Sequence, residues 1–144
     1  MEAYLNPYLM RLRMEHFSDL VPLHLAYKAE IGEEAPTETE LDRLRDAMQT
    51  GSIVFYGAFL RGKLVGCCSV VKTYSTFCYG MTGVFDDFFI LPAFRHHGIA
   101  GALVNFAYIQ SAVDSLTVGC ADCDVGMYRH LGFHTKIGNL LARF

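Results

Sequence analysis

"FRHHGIAGAL", Phe94 to Leu103, follows one residue after "FDDFFILP", Phe85 to Pro92. The first run is apolar and reads as the end of a strand, and Pro92 stops it, because proline cannot donate to a sheet. "GIAGALVNFAYIQSAV" then keeps Ile99, Leu103, Phe106 and Val113 at helical spacing, so a strand passes into a helix at this junction. A helix start presents unpaired N–H groups, and its aligned peptide dipoles make that end partly positive. Gly98 has no Cβ to hold an anion away, Ala100 is the next smallest choice, and Arg95, His96 and His97 add positive character. The junction therefore suits a pyrophosphate. A purely structural glycine turn would read the same way.

Two other phosphate motifs are excluded. No Gly-Lys-(Ser or Thr) of a P-loop occurs, and Gly98 and Gly101 do not make the G-x-G-x-x-G of a dinucleotide fold.

Outward from this junction the chain alternates strands and helices. "YLMRLRM" sets Tyr8, Met10, Leu12 and Met14 against Arg11 and Arg13, a strand with one wet face. "SDLVPLHLAYKAEIG" reads as a helix capped by Ser18, with Leu20, Leu23, Tyr27 and Ile31 on one face. "TETELDRLRDAMQTG" reads as another, with a Thr37/Glu40 capping box and Gly51 as its stop. "SIVFYGAFL" and "KLVGCCSVVKTY" form a hairpin through "RGK", apolar enough to be central strands covered on both faces. After the junction come a short strand "SLTVG", a short helix "DCDVGMYRHLG" and a closing strand "FHTKIGNLLARF". The order β-α-α-β-β-β-α-β-α-β predicts one α/β domain over residues 1–144, with a mixed, twisted sheet of about six strands and about four helices.

At 144 residues and 52% apolar composition the chain can bury one core. No apolar run approaches the roughly 18 residues of a membrane span. The opening "MEAYLNPYLMRLRMEHF" is too interrupted by charge for a secretory signal. A net charge of −3 argues against a nucleic-acid binder and leans toward a cationic rather than an anionic substrate. Five cysteines, with Cys67 and Cys68 adjacent, fit reduced thiols and a cytoplasmic location. Cys120 and Cys123 form a C-x-x-C, but His130 and His134 follow too closely for a finger, so no metal is expected. These cysteines read instead as small buried hydrophobes.

"DDFFILPAFRHHGIAGALV" resembles the signature of the GNAT superfamily of N-acetyltransferases. That signature is a strand ending in hydrophobic-x-Pro, then (Gln or Arg)-x-x-Gly-x-(Gly or Ala) and a helix, and Arg95 to Ala100 fill it. "YRHLGF", Tyr128 to Phe133, resembles the family's later tyrosine-x-x-x-Gly-Phe element, and the element order is also the family's.

The resemblance implies acetyl-coenzyme A as co-substrate and an amine-bearing acceptor. It implies that backbone N–H groups of Arg95, His96, His97, Gly98, Ile99 and Ala100 hold the pyrophosphate. Phe89, Ile90 and Leu91 would pair with the pantetheine arm, because this sheet splays between its fourth and fifth strands. An N–H in that stretch would meet the thioester oxygen. Tyr128 would protonate the departing thiolate.

For a general base the candidates are Asp86 and Asp87, on opposite faces of a regular strand, either of which a salt bridge or backbone hydrogen bonds would equally explain. Glu33 and Glu34 could rim an amine-binding mouth or simply be solvated. Ala121 and Asp124 depart from the asparagine and alanine common before the family's tyrosine. A non-catalytic acyl-coenzyme A sensor is therefore the alternative to an enzyme attacking directly in a ternary complex. The apolar closing segment "IGNLLARF" could pair with a copy of itself in a homodimer or form an internal strand.

Overall fold

The computed structural model describes residues 5–144; residues 1–4, where the segment read as no secretory signal begins, lie outside the described residues. The chain runs β1 (Tyr8–Arg11), α1 (Phe17–Glu30), α2 (Glu38–Thr50), β2 (Val54–Leu60), β3 (Lys63–Ser75), β4 (Gly80–Ile90), α3 (Ile99–Ser111), β5 (Leu116–Thr117) and α4 (Val125–His130). The strands form one sheet in the order β1-β2-β3-β4-β5, antiparallel throughout except for the parallel β4–β5 pair.

Local chemistry explains the boundaries. Thr37 Oγ1 accepts from Glu40 N–H at 3.2 Å and Glu40 Oε1 accepts from Thr37 N–H at 3.0 Å, while Gly51 closes α2 at φ 80°. The β2–β3 turn holds Arg61 at φ 50° and Gly62 at φ 78°, the left-handed pair that matches strand twist in a two-residue hairpin. The cap expected at Ser18 is not used: a 3-10 turn, Met14–His16, leads straight into α1. Ile31, expected on the apolar face, falls just past the helix end and is exposed.

Both faces of the central strands are covered, as their continuous apolar sequences require. On one face α3 packs Ile99, Leu103 and Ala107 over Tyr56, Val70 and Phe85. On the other, α1 packs Leu20 and Leu23 over Phe55, Cys67 and Phe89.

The sheet has five strands among the described residues, not about six. Residues 133–144 form no strand, and Leu140 and Leu141 are 96% and 90% exposed. Phe133 packs on Phe85, but Gly138 turns the chain into the left-handed region at φ 74° and interrupts the extended run. The two-residue β5 also offers little edge to pair with.

β4 and β5 meet only at Gly83–Leu116 and Val84–Thr117, after which β4 runs on to Ile90 paired with β3 alone. A Cβ on Gly83 would lie 2.8 Å from Leu116 Cδ2 and 2.9 Å from Val70 Cγ1. Gly83→Val should therefore cost about 1–3 kcal/mol through overpacking, read as a lower midpoint in urea with an unchanged slope. An unaltered midpoint would show that β5 is not seated through this contact.

Candidate active site

The site begins with an irregularity in β4. Cys67 pairs with Phe89 and Ser69 with Asp86, so Cys68 alone stands opposite Asp87 and Phe88. Asp87 takes φ 50°, a left-handed conformation that aspartate tolerates better than most residues. Such a bulge breaks the alternation of side chains. The expectation that Asp86 and Asp87 occupy opposite faces is therefore corrected: both carboxylates turn toward α1. Asp86 Oδ1 accepts from the Tyr27 hydroxyl at 3.3 Å and from Asp87 N–H at 2.7 Å. Asp87 Oδ2 accepts from Ser69 Oγ at 2.7 Å.

Burial dominates the electrostatics of this cluster. It raises Asp87 above the usual carboxylate range even though the Ser69 hydrogen bond pulls the other way. It lowers His24, whose ring stands edge-on to Phe55 at 6.4 Å, and so keeps that imidazole neutral. Burial first and the Asp86 charge second raise Tyr27, which holds its proton.

A cleft of about 1500 Å³ joins this cluster to the junction at Phe94. Phe89, Ile90, Arg95, His96, Gly98, Ile99 and Ala100 line it, as do Asp86, Tyr128 and Tyr27. Leu91, His97 and Asp87 lie outside that lining. Leu91 N–H donates to Val65 O at 2.9 Å, which turns Ile90's own N–H and C=O to the open edge of β4.

At the head of the cleft Gly98 caps α3 at φ 85° with His96 at φ 66°. The helix's first bond is Ala102 N–H to Gly98 O at 3.3 Å, so the N–H groups of Ile99, Ala100 and Gly101 precede the ladder. Arg95 N–H donates to Pro92 O at 3.3 Å, and His97 O accepts from Leu5 N–H at 2.9 Å. The Arg95 guanidinium reaches back along the cleft wall. Its Nε donates to Ile90 O at 2.8 Å, its Nη2 lies 2.8 Å from Glu30, and its plane stands over the Phe89 ring.

Tyr128 faces the open edge from the other side. Gly132, at φ 107°, reverses the chain after α4, and Phe133 N–H returns to Tyr128 O at 3.0 Å. The Tyr128 ring then packs edge-on to Phe133 at 5.8 Å and against Phe88 at 6.3 Å. Burial, reinforced by the Asp124 charge, pushes its hydroxyl up to about 12.

Ala121 and Asp124 lie on the same wall. Glu33 is paired with Lys28 at 2.6 Å, and neither Glu33 nor Glu34 lines the cleft. Cys120 and Cys123 are exposed rather than buried, because the 3-10 turn Asp122–Asp124 carries them over the surface. Cys67 and Cys68 are buried, and burial raises both thiols. Among the described residues no group of three His, Cys, Asp or Glu side chains could hold a metal, and no helix is long and apolar enough to cross a membrane.

Sequence reading alone misses Tyr27, His24, Ser69 and Glu30. His24 and Tyr27, three apart within an otherwise apolar helix face, are the one signal that could have found the α1 side.

A family model described as an acetyltransferase (GNAT) domain matches residues 51–135. No curated protein matches the chain in sequence. Among solved structures, a probable acetyltransferase superposes with a TM-score of 0.84 at 19% identity, over 95% of this chain and 97% of that one. A predicted acetyltransferase with acetyl-CoA from Clostridium acetobutylicum superposes with a TM-score of 0.74 at 16% identity, over 96% of each chain. An aminoglycoside acetyltransferase from an uncultured soil metagenomic sample gives 0.79 at 14% identity, over 96% of this chain and 95% of that one. At these identities the likeness is one of fold.

The raised Asp87 carboxyl has a pH signature. The unfolded chain releases this proton first, so folding loses stability as pH rises from about 4 through the higher folded value. Asp87→Asn keeps an acceptor for Ser69 and should melt above wild type at pH 7, with the gain shrinking as pH falls toward about 4. Thermal melts across that range check it, and a lower melting temperature at pH 7 would count against a strained carboxylate.

Proposed function

The chain belongs to the acetyltransferase (GNAT) family, and on that premise we propose that it transfers the acetyl group of acetyl-coenzyme A to a primary amine by direct attack in a ternary complex. The observation that carries this reading is a single cleft shared by the α3 N-terminus, the open edge of β4, Tyr128 and Asp86.

The residues present fit the cofactor. Gly98 brings bare backbone to the cleft surface, and nothing lies within 4 Å of where a Cβ would stand on Gly101 or Gly119. The N–H groups of Ile99, Ala100 and Gly101 would hold the diphosphate, with His96 beside them. The edge from Phe88 to Ile90 would orient the pantetheine arm as an added strand. Acetyl-coenzyme A, when bound, supplies an activated acetyl thioester. A backbone N–H on the open edge would stabilise charge developing on the carbonyl oxygen.

Tyr128 would act as the general acid. Its hydroxyl stays protonated at neutral pH; because the departing thiol has a pKa of only about 8.5, the transfer is uphill, and the hydroxyl acts by sharing its proton with the thiolate as charge develops. Neutralising that thiolate as it leaves keeps it from re-attacking the acetyl group. Asp86, exposed on the cleft wall and steadied by Tyr27, would accept the amine's proton through water. Asp87, tied to Ser69 off the cleft, would hold the bulge instead.

Tyr128→Phe should lower turnover by roughly a hundredfold or more and leave coenzyme A affinity nearly unchanged, as measured by thiol release and calorimetry. Turnover equal to wild type would remove Tyr128 from the chemistry. Gly98→Glu should abolish coenzyme A binding by setting bulk and negative charge in the cradle. Undiminished affinity would move the cradle elsewhere.

The sensor reading draws on Ala121 and Asp124, which place a methyl and a carboxylate on the cofactor wall. Tight coenzyme A binding with no thiol release across polyamines, amino acids, peptides and aminoglycosides would favour it.

A further inference from the structure

Resting on the acetyl-coenzyme A reading, we propose that Arg95 is a displaceable plug on the cofactor edge. Its transfer from Glu30 to the diphosphate uncovers Glu30 as an anchor for a second positive charge on the amine acceptor.

The plug follows from where the guanidinium sits. Ile90 C=O is the acceptor that the open edge of β4 offers next to the cradle, and Arg95 Nε already donates to it at 2.8 Å. Its Nη2 lies against both oxygens of Glu30, at 2.8 and 3.0 Å. The guanidinium also lies over Phe89, 5.3 Å from the ring centroid. An incoming amide that pairs with β4 must take the place of this side chain.

The grip is releasable. The Arg95 and Glu30 side chains are 34% and 47% exposed, and ion pairs this wet are weakly held. A diphosphate on the α3 N-terminus lies within the same loop and offers more negative charge to the planar guanidinium fork.

The consequence falls on the acceptor side. Glu30 is the last residue of α1 and stands three residues beyond Tyr27, on the same helix face. Lys28, the nearest alternative cation on α1, is already bound to Glu33 at 2.6 Å. Once Arg95 leaves, Glu30 and Asp86 form two carboxylates on one wall of the cleft. Such a wall suits a diamine or larger polycation, with one amine at the reacting centre and another ammonium on Glu30.

The test titrates ¹⁵N-labelled full-length chain with coenzyme A and, separately, with pantetheine, which lacks the phosphates. Coenzyme A should shift the Arg95 Nε–H resonance. Arg95→Ala should bind coenzyme A at least tenfold more weakly, yet bind pantetheine as well as or better than wild type. Glu30→Gln should bind coenzyme A no more weakly than wild type. The same variant should raise KM about tenfold for a diamine while leaving kcat, and KM for a monoamine, unchanged.

An unmoved Arg95 resonance, or equal loss of both ligands in Arg95→Ala, overturns the plug while acetyl transfer stands. An unchanged diamine KM in Glu30→Gln overturns the anchor. Wild-type chain that binds no coenzyme A overturns the acetyl-coenzyme A reading and this inference together.

Discussion

β5 leaves β4 after two residue pairs, and the rest of the site depends on that departure. A central strand that loses its neighbour exposes a row of peptide groups that want partners. Here the row runs from the end of the β5 ladder to Ile90 and opens onto a cleft rather than onto bulk surface. The chain then brings its other functional elements to the same gap. The α3 N-terminus lies just beyond the end of the strand, and the segment after β5 returns Tyr128 to face it across the opening. Crowding by Leu116 and Val70 at Gly83 seats the short ladder, so a packing detail bears on where ligand chemistry can begin.

Charged groups line the cleft on several elements, and Arg95 and Glu30 meet there as an ion pair. Arg95 and His96 belong to the loop ahead of α3, whereas Glu30, Asp86 and Asp124 stand toward the α1 and α4 walls. Between them Phe88 and Tyr128 form an apolar neck. Burial of the same kind keeps the Tyr128 hydroxyl protonated and the His24 imidazole neutral.

Features set by neighbours in sequence are legible in the sequence itself. The Thr37–Glu40 capping box, the Arg61–Gly62 hairpin and the Gly98 junction each depend on a few adjacent residues, and each forms as read. Features set by pairing across the sheet are not legible in this way. One residue of slippage between β3 and β4 turns Asp86 and Asp87 to the same side, and nothing in "DDFF" announces it. The exposure of Cys120 and Cys123 follows from the 3-10 turn Asp122–Asp124 beyond β5, which nothing in the C-x-x-C spacing announces. The closing run "IGNLLARF" has strand composition, but strand composition needs an edge, and the short β5 supplies little. Tyr27 and Glu30 look like ordinary helix residues until α1 is laid beside β4.

The bulge also explains why two adjacent aspartates need not be redundant. In a regular strand one of them would point into the α3 core, where a carboxylate without partners is costly. By turning both toward α1, the bulge gives each a hydroxyl donor: Ser69 for Asp87 and Tyr27 for Asp86. The Asp86 carboxylate further accepts the Asp87 N–H, an amide that the distorted ladder would otherwise leave without a partner. Asp87 is then the more enclosed member, its proton affinity raised by burial, and Asp86 the wetter one on the cleft wall. Two carboxylates in different surroundings can divide structure from chemistry in a way that identical ones cannot. Under the acetyl-transfer reading, the residue that distorts the strand thereby positions the residue that would take the proton.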